Sequence, residues 1–313
     1  QGVTAKAIYA VMEAGDCSPS TPIGVNLPNA DWIRSIHGSK SVSITNIIDA
    51  YDLASKGSGV IEEFAYSKEE IELDKKFGSL ASKLHVDLHE IIGHGSGKIN
   101  PTIGEPAETL KNYASTIEEA RADLVALYFA IDPKLVELNL MPDLNPGYCE
   151  YNSFIRSSLI TQLVRVEYGK DLEESHMRNR QLIAKWAYEK GKTEGVIERL
   201  TKNGKTYFVI HDYLKLRILF GRLLKEVQRI KSEGDFPAAK QLVEDYGVTV
   251  DSVLHQEILD RWKKLNIAPY AGFINPQYIP IFEEHNIVDI DLVYPSDFAD
   301  QMLYYSQHYS SLI

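Results

Sequence analysis

The spacing of apolar side chains along the sequence predicts a chain made mostly of helices. Between residues 69 and 93, apolar positions recur three or four residues apart, which is the period of one helix face. The stripe consists of Leu73, Phe77, Leu80, Leu84, Leu88 and Ile91. A second helix is predicted from Ser115 to just before Pro133. Ser115 and Glu118 have the spacing of a capping box, and proline cannot continue a helix.

Shorter patterns complete the predicted fold. Further helices are predicted near residues 151–168, 171–190, 212–232, 236–245, 250–265 and 296–311. Residues 196–210 predict one hairpin, with Asn203-Gly204 as a type I′ turn. Residues 14–46 are rich in Gly, Pro, Ser, Asn and Asp, which indicates turns around short strands. The predicted fold class is mainly α with a minor α+β character, containing a few short strands and one hairpin.

A change in composition divides the chain into two parts. The sequence KGSG at 56–59 is typical of a joint, because glycine and serine favour irregular backbone. Strand and turn signals dominate before this point, and helical periodicity dominates after it. We therefore predict a strand and loop segment at 1–57 and a helical domain at 58–313.

The composition excludes several classes of protein. Apolar residues make up 44% of the 313 positions, which is enough to bury a core. The formal net charge of −11 argues against nucleic acid and anionic membranes as partners, because both require clustered Lys and Arg. Two cysteines, Cys17 and Cys149, do not make a disulfide framework. The longest apolar run, LVALYFAI, is too short to span a bilayer, so no membrane span is predicted.

The stretch HEIIGHGSGK, at 89–98, has the residue types of a zinc site on a helix. The familiar pattern H-E-x-x-H separates its histidines by four residues, whereas His89 and His94 are five apart. At about 100° per residue, positions five apart are offset by roughly 140° on a straight helix. The two histidines can converge on one ion only if a wider π turn adds a residue between them. Gly93 would ease such a distortion because it has no Cβ.

The sequence leaves alternatives for the metal ligands. His85 and His89 are four apart, which is the ideal spacing on an unbroken helix, although the glutamate follows His89. A catalytic zinc also needs a third protein ligand, and the second helix offers the acids of the sequence EEARAD at 118–123. Acids in the first turn of a helix are equally explained by the helix dipole and by capping, with no metal involved.

Taken together, HEIIGHGSGK and EEARAD resemble the dipeptidyl peptidase III family of zinc exopeptidases. That family is marked by H-E-x-x-G-H and, on a following helix, by E-E-x-[RK]-A-[ED]. Three other segments are similar to it: GVNLPNADWIR at 24–34, SHMRNR at 175–180 and LNIAPYAGFINP at 265–276. The resemblance covers most of the chain, and it favours the histidines that are five apart over the pair that is four apart.

The resemblance implies a role for each matched residue. One Zn²⁺ per chain would be held by His89, His94 and Glu119, with Glu90 as the general base. Glu118 and Asp123 would accept the outer N–H groups of the histidines, and His176 would stabilise the oxyanion of the reaction. The implied substrate-binding residues are Asn26, Asn29, Asp31, Arg34 and Arg180. His85 matches no ligand of the family and is expected to be an ordinary, partly buried histidine.

The resemblance also implies a function and a partner. We expect an exopeptidase that releases dipeptides from the N-terminus of short oligopeptides. Family members are about twice as long and have two lobes, so residues 1–57 would line the substrate cleft beside a missing N-terminal lobe. The chain starts at Gln1 in sequence that already reads as folded. We therefore expect this chain to be a fragment, with reduced or no activity. The expected location is the cytoplasm.

Two other functions remain open at the level of sequence. One is a non-catalytic helical interaction module with a structural or vestigial metal site. The other is a different zinc hydrolase on the same scaffold, because fold alone does not determine function. An unligated glutamate next to the ligands argues against the first, since a structural zinc site usually closes with four protein ligands.

Overall fold

The computed structural model describes residues 4–10, 22–28, 31–267, 275–293, 295 and 297–309. The strands in these ranges are β1 (Thr4–Ile8), β2 (Gly24–Leu27), β3 (Lys40–Ile44), β4 (Ile197–Lys202), β5 (Lys205–Ile210), β6 (Gln277–Glu283) and β7 (Asn286–Val293). The helices are α1 (Asp31–His37), α2 (Thr45–Ser55), α3 (Val60–Phe64), α4 (Lys68–Asp87), α5 (Pro106–Thr109), α6 (Ala114–Ala130), α7 (Pro133–Glu137), α8 (Asn145–Leu159), α9 (Ser175–Gly191), α10 (Tyr213–Glu233), α11 (Phe236–Val243), α12 (Ser252–Leu265) and α13 (Phe298–Tyr309). The prediction of a mainly α fold with a few short strands is confirmed.

The chain forms two compact units. The first consists of Gln1–Lys6, Gly24–Ser43 and Ser58–Ile267, and the second of Ala7–Ile23, Ile44–Gly57 and Ala268–Ile313. The first unit contains most of the helices and the main hydrophobic core. The functional division into a cleft-lining segment at 1–57 and a zinc-binding domain at 58–313 stays a prediction.

The long helix predicted over 69–93 ends as a regular α-helix before the histidine motif. Helix α4 begins at its N-cap Ser67, whose side chain accepts a hydrogen bond from the backbone N–H of Glu70. The chain then continues without a break into a π-helix, Leu88–Gly93, which we call the π turn. Its wider ring is closed by the backbone N–H of His94, which donates to the carbonyl of His89 at 2.9 Å. The extra residue per turn predicted from the five-residue spacing is therefore present.

Helix α6 is the central helix of the first unit. It packs against α4, α8, α9, α10 and the π turn. Neighbours cover it on nearly every side. One stripe of fully buried residues contains Ile117, Ala120, Leu124 and Leu127, and the opposite side contains the equally buried Ala122 and Ala126. The capping box predicted at Ser115 is wrong. The helix directly follows a 3₁₀ turn, Lys111–Tyr113. Tyr113 is therefore the N-cap, and no side chain caps the helix.

The remaining helices follow the predictions with shifted ends. The helix predicted at 151–168 begins earlier, at Asn145, and ends at Leu159, followed by the 3₁₀ turn Thr161–Arg165. The helix predicted at 171–190 begins only at Ser175, where Glu174 caps its first turn. Pro133 does not end α6 directly, because α6 ends at Ala130 and the proline starts α7. Such differences are expected, because the spacing of apolar residues predicts that a helix is present more accurately than it predicts the first and last residues.

The hairpins differ in number from the prediction. Strands β4 and β5 pair antiparallel, and positive φ angles at Asn203 (54°) and Gly204 (72°) fit the predicted type I′ turn. The expectation of one hairpin is wrong, because β6 and β7 form a second one. Its two-residue loop contains Glu284 at a positive φ of 55°, in place of the Asn or Gly that marks such a turn in a sequence. Pro280 within β6 also weakens the strand pattern.

The region predicted to be irregular contains more structure than expected. Strands β2 and β3 pair antiparallel, with Asn26 opposite Ser41, in a sheet of order β1-β3-β2. The short strands predicted between 14 and 46 are thus confirmed at 24–27 and 40–44, whereas residues 11–21 lie outside the described ranges. Helix α1 was not predicted, because its seven residues are too few for periodicity to identify.

None of the helices in the described part of the chain is long and apolar enough to cross a membrane. The predicted cytoplasmic location stays a prediction.

Candidate metal centre

The π turn brings together two histidines that a regular helix would separate. The ring centroids of His89 and His94 are 4.7 Å apart, with their planes at 86°. Both rings are nearly buried. The turn also lies very close to α6: a Cβ added at Gly93 would be 2.9 Å from both Cα and Cβ of Ala122. Glycine is therefore needed at this position for the backbone approach, in addition to any role in easing the turn.

A glutamate of α6 lies between the two imidazoles. Oε2 of Glu119 is 3.3 Å from Nε2 of His89 and 3.7 Å from Nε2 of His94. One donor atom from each of these residues lies within 4.8 Å of the others. Ligands bound tetrahedrally at 2.0–2.2 Å from one ion lie about 3.3–3.6 Å from each other, so these separations fit a zinc ion.

Glu119 also meets a second test of a metal site. Its Oε2 atom is buried and makes no hydrogen bond, although the two histidines are within ion-pair distance. A buried carboxylate oxygen without a hydrogen bond is costly unless another group compensates its charge. Two imidazole nitrogens and this oxygen form the His₂Glu set of zinc peptidases, which leaves one coordination position open. The donor set therefore fits a zinc ion.

Two further carboxylates face the outer nitrogens of the same rings. Nδ1 of His89 is 2.7 Å from Oδ1 of Asp123, and Nδ1 of His94 is 2.9 Å from Oε1 of Glu118. Burial alone would raise the pKa of Asp123, but hydrogen bonds with His85 and His89 hold it well below the usual range. An ionised acceptor at Nδ1 keeps the proton there and leaves the lone pair on Nε2, which faces Glu119.

Two buried cations hold Glu118, and the sequence did not single them out for this role. Arg121 donates from Nε and Nη2 to the two oxygens of Glu118, at 2.9 and 2.7 Å, and from Nη2 to the carbonyl of Gly93 at 2.7 Å. Nζ of Lys231, on α10, is 2.8 Å from Oε2 of Glu118. Burial alone would raise the pKa of Glu118, but these cations and His94 hold it well below the usual range. Arg121 lies inside EEARAD, whereas nothing in the local sequence marks Lys231.

Glu90 belongs to the π turn and contacts the small sheet. Its backbone carbonyl accepts hydrogen bonds from Nδ2 of Asn26 at 3.0 Å and from Oγ of Ser41 at 2.8 Å. A Cβ at Gly24 would be 3.0 Å from Cγ and Oε1 of Glu90, so β2 covers this side chain closely. Oε2 of Glu90 is buried without a hydrogen bond, and burial raises the pKa of the carboxyl group. Ser41 was not identified from the sequence, because its contact depends on the register of β2 and β3.

His176 reaches the same glutamate from the start of α9. Its Nε2 atom is 3.4 Å from Oε2 of Glu119. On the other side, Nδ1 is 2.7 Å from Oε1 of Glu174, and this hydrogen bond raises the pKa of His176. More than half of the His176 side chain is exposed, so the ring stands at the solvent edge of the cluster.

A cavity of about 480 Å³ opens beside these groups. It is lined by His89, Glu90, His94, Glu118, Glu119, His176, Asn26 and Arg34, among others. Arg34 donates from Nε to the carbonyl of Pro28 at 2.6 Å, and from Nη1 to the carbonyl of His94 at 3.4 Å. Arg180 is not among the lining residues. Asn29 and the side chain of Asp31 lie outside the described part of the structure.

The sequence model of Peptidase family M49 matches residues 14–105 and 102–265. The chain belongs to peptidase family M49. This is a family of metallopeptidases, which agrees with the donor set described above.

Similar M49 proteins are longer than this chain. Dipeptidyl peptidase 3 of Mus musculus is 27% identical over 271 residues, which cover 74% of this chain and 36% of the mouse protein. Dipeptidyl peptidase 3 of Homo sapiens is 26% identical, with the same coverage. The chain thus spans about a third of the length of these relatives.

Solved structures show the same fold. The structure of DPP III from Caldithrix abyssi superimposes with a TM-score of 0.64 at 24% identity, covering 85% of this chain and 48% of that one. The structure of dipeptidyl-peptidase III from Corallococcus sp. strain EGB gives a TM-score of 0.65 at 22% identity, covering 85% and 45%.

Proposed function

We propose that this M49 chain is the zinc-binding part of an exopeptidase that releases dipeptides from the N-terminus of oligopeptides. The observation that carries the proposal is the convergence of His89, His94 and Glu119 across the π turn, with the Glu90 carboxylate beside them. The relatives named dipeptidyl peptidase 3 supply the type of cleavage. One zinc ion per chain is held by the two histidines and Glu119.

The surrounding residues prepare the ligands. Asp123 and Glu118 accept the Nδ1 protons of His89 and His94, so that both rings are neutral and present Nε2. When bound, zinc supplies Lewis acidity, which lowers the pKa of a water molecule and polarises a carbonyl group. The chain itself must then move protons and position the peptide.

Glu90 is the general base. It is next to the ligand His89 in sequence, lines the same cavity, and its buried Oε2 atom makes no hydrogen bond. Glu90 removes a proton from the attacking water and then passes it to the leaving amine, the double role that a positioned carboxylate can perform. His176 presents Nε2 at the solvent edge and donates to the peptide carbonyl oxygen as negative charge develops on it.

The cavity wall offers groups for the peptide backbone. Oδ1 of Asn26 is buried without a hydrogen-bond partner, while its Nδ2 atom is fixed by Ser41 and Glu90. An oriented amide with a free acceptor suits a peptide N–H group. Arg34 supplies positive charge to the same cavity. Asn29, Asp31 and Arg180 remain predicted substrate residues. The chain by itself is expected to turn over substrate weakly or not at all, because the remainder of such a protein completes the cleft.

The proposal is tested by zinc content together with hydrolysis of dipeptidyl arylamides. The parent chain should hold about one zinc ion after loose metal is removed. Glu90→Gln should keep that zinc and lower any turnover by at least about 100-fold, the usual effect of removing a general base. Glu137→Gln, an exposed glutamate that pairs with Lys134, is the matched control and should change neither quantity.

Each measured quantity has an outcome that contradicts the proposal. A parent chain that binds no zinc, even when zinc is added, would rule out the metal site. Undiminished turnover in Glu90→Gln would rule out its role as base. Zinc binding with no hydrolysis of any arylamide, also when the rest of the protein is present, would favour a non-catalytic helical interaction module with a structural or vestigial site.

A further inference from the structure

The hydrogen-bonded chain around the metal centre extends one residue beyond Asp123. His85 lies on α4, four residues before His89, and its side chain is only 12% exposed. Its Nε2 atom is 3.1 Å from Oδ1 of Asp123, the same oxygen that faces Nδ1 of His89 at 2.7 Å. A single carboxylate oxygen is therefore shared by two imidazoles. The position of this oxygen relative to His89 depends on both of them.

A second carboxylate lies on the far side of His85. Oε1 of Glu150, on α8, is 3.0 Å from Nδ1 of His85, in ion-pair range although not aligned as a hydrogen bond. The imidazole also lies 5.9 Å from the Phe154 ring, at 31° between planes, which restricts its rotation. Burial alone would lower the pKa of His85, but the carboxylates of Glu150 and Asp123 outweigh it and raise the pKa to about 9. His85 thus lies between two carboxylates, one at each ring nitrogen.

Behind the second proposed ligand, His94, a carboxylate is also held by further buried groups. The outer carboxylate of His94 is Glu118, and it is held by the buried cations Arg121 and Lys231. The outer carboxylate of His89 is Asp123, which is 3% exposed. A buried carboxylate without a counter-charge is strongly unfavourable and tends to move or become protonated. His85 thus contacts Asp123 in the way that Arg121 and Lys231 contact Glu118.

We propose that His85 is a positioning residue of the metal centre. It holds the Asp123 oxygen that orients the His89 imidazole, and Glu150 holds His85 in turn. This inference rests on the proposed zinc site. It assigns a role to His85, which the sequence analysis expected to be an ordinary, partly buried histidine. It also explains why a histidine stands four residues before His89 without being a ligand.

One competing arrangement uses the same atoms. Donor atoms of His85, His89 and Asp123 also lie within 4.8 Å of one another and could hold an ion themselves. In that case His85 would be a ligand, and His94 and Glu119 would be dispensable. The two arrangements predict opposite effects of His85→Ala and His94→Ala on metal binding.

The test measures the zinc dissociation constant by competition with a chromogenic chelator. His85→Ala should weaken zinc binding by about 10-fold, at the lower end of the effect of losing an outer partner, because it acts through Asp123. His85→Gln should recover most of the affinity, since a glutamine amide N–H can replace Nε2–H in donating to Asp123. His94→Ala should abolish tight binding. His255→Ala is the control, because His255 is even more deeply buried than His85 but its Nε2 faces the backbone carbonyls of Leu163 and Val166.

A spectroscopic measurement separates positioning from general destabilisation. The chain is loaded with Co²⁺, whose visible absorption reports the geometry of its ligands. His85→Ala should shift the bands and His255→Ala should leave them unchanged, even if both variants lower the melting temperature. If His85→Ala does not fold, Glu150→Gln serves instead. It keeps the volume and should weaken zinc binding several-fold, in the direction of an outer-partner loss.

The possible results are distinct. Unchanged zinc affinity and cobalt spectrum in His85→Ala would overturn the positioning role while leaving the proposed zinc site intact. Complete loss of zinc in His85→Ala, with retention in His94→Ala, would make His85 a ligand and overturn both assignments. A parent chain that binds neither metal would overturn the proposed function and this inference with it.

Discussion

At the scale of single residues, the candidate metal centre places the imidazoles of His89 and His94 each between two carboxylates. His89 and His94 present Nε2 to Glu119 and Nδ1 to a second buried acid. Among the carboxylates of this cluster, Glu119 and Glu90 each have a buried oxygen, Oε2, that makes no hydrogen bond. The proposed ligand and the proposed base are therefore the two carboxylates of the cluster that have a buried oxygen without a hydrogen bond. Asp123 and Glu118, in contrast, are each hydrogen-bonded to the imidazole in front of them.

Gly24→Ala tests how closely Glu90 must be positioned. A methyl group at this position would lie 3.0 Å from Cγ and Oε1 of Glu90, so the carboxylate has to shift. We expect any turnover to fall by at least about 10-fold, because displacing a catalytic group by a fraction of an ångström is costly. Zinc content and melting temperature should change little, since a flexible side chain takes up the contact. Equal turnover in parent and variant would mean that Glu90 is not held by β2.

The sequence predicted part of the site and missed the rest for a physical reason. The motifs HEIIGHGSGK and EEARAD contain the three proposed ligands and the two acids behind the histidines. These residues are local in sequence, so their spacing carries the information. Ser41 and Lys231 contact the site only because β3 and α10 fold against it. No periodicity or spacing in their own segments indicates these contacts.

At the scale of secondary structure, the π turn is the element that makes the site possible. The spacing of the histidines predicted it, because five residues fit one turn only if that turn is widened. Its position against α6 was not predictable, since it requires the approach of Gly93 to Ala122. Helix ends were also less predictable than helices. Ser115 has the capping pattern, but the preceding 3₁₀ turn starts α6 earlier and leaves Ser115 without that role.

Gly93→Ala tests the packing of the π turn on α6. An added Cβ would be 2.9 Å from Cα of Ala122 and 3.0 Å from its carbonyl oxygen, and backbone cannot move aside as a side chain can. We expect a loss of stability of about 2 kcal/mol, typical of overpacking, and weaker zinc binding. Gly78→Ala in α4 is the control, because its Cβ would meet only the end of the Asp74 side chain, at 3.2 Å. Similar melting temperatures for the two variants would contradict this account.

At the scale of the whole molecule, distant segments of the first unit are joined by buried charge. Arg261, on α12, is 3% exposed and donates to Oε1 and the carbonyl of Glu63, to the carbonyl of Thr206 and to Glu257. It thereby connects α12 with α3 and with β5. Burial alone would raise the pKa of Glu63 and Glu257, but their hydrogen bonds outweigh it and lower both values.

Arg261→Met should lower the free energy of unfolding by about 3 kcal/mol at neutral pH, because it removes a buried cation that donates hydrogen bonds to two partly buried carboxylates and to two backbone carbonyls. Carboxyl groups with a lowered folded pKa stabilise the fold above their unfolded pKa, near 4.3, and this contribution is lost as pH falls through the folded value. The difference between parent and variant should therefore shrink below about pH 4. Denaturant titrations at several pH values measure it. A difference that stays constant with pH would contradict the ion-pair explanation. Arg199→Met removes an exposed pair with Asp251 and should cost less than about 1 kcal/mol.

Zinc should stabilise the chain as a whole. Binding to the folded state alone, at zinc about 1,000 times above the dissociation constant, contributes about 4 kcal/mol. For a chain of this size that corresponds to a rise in melting temperature of about 10 °C. Scanning calorimetry with added zinc and with chelator measures the difference. His94→Ala should show almost no rise, and an equal rise in that variant would place the ion elsewhere.

The pairing of the π turn with α6 has a consequence for how the chain moves. The first histidine, His89, pairs with the later acid, Asp123, and the second, His94, pairs with the earlier acid, Glu118. Sliding either segment along the other breaks both pairs together. A bound ion would therefore fix the alignment of the π turn with α6. We expect it to slow amide hydrogen exchange at the centre of α6 more than at the ends of that helix.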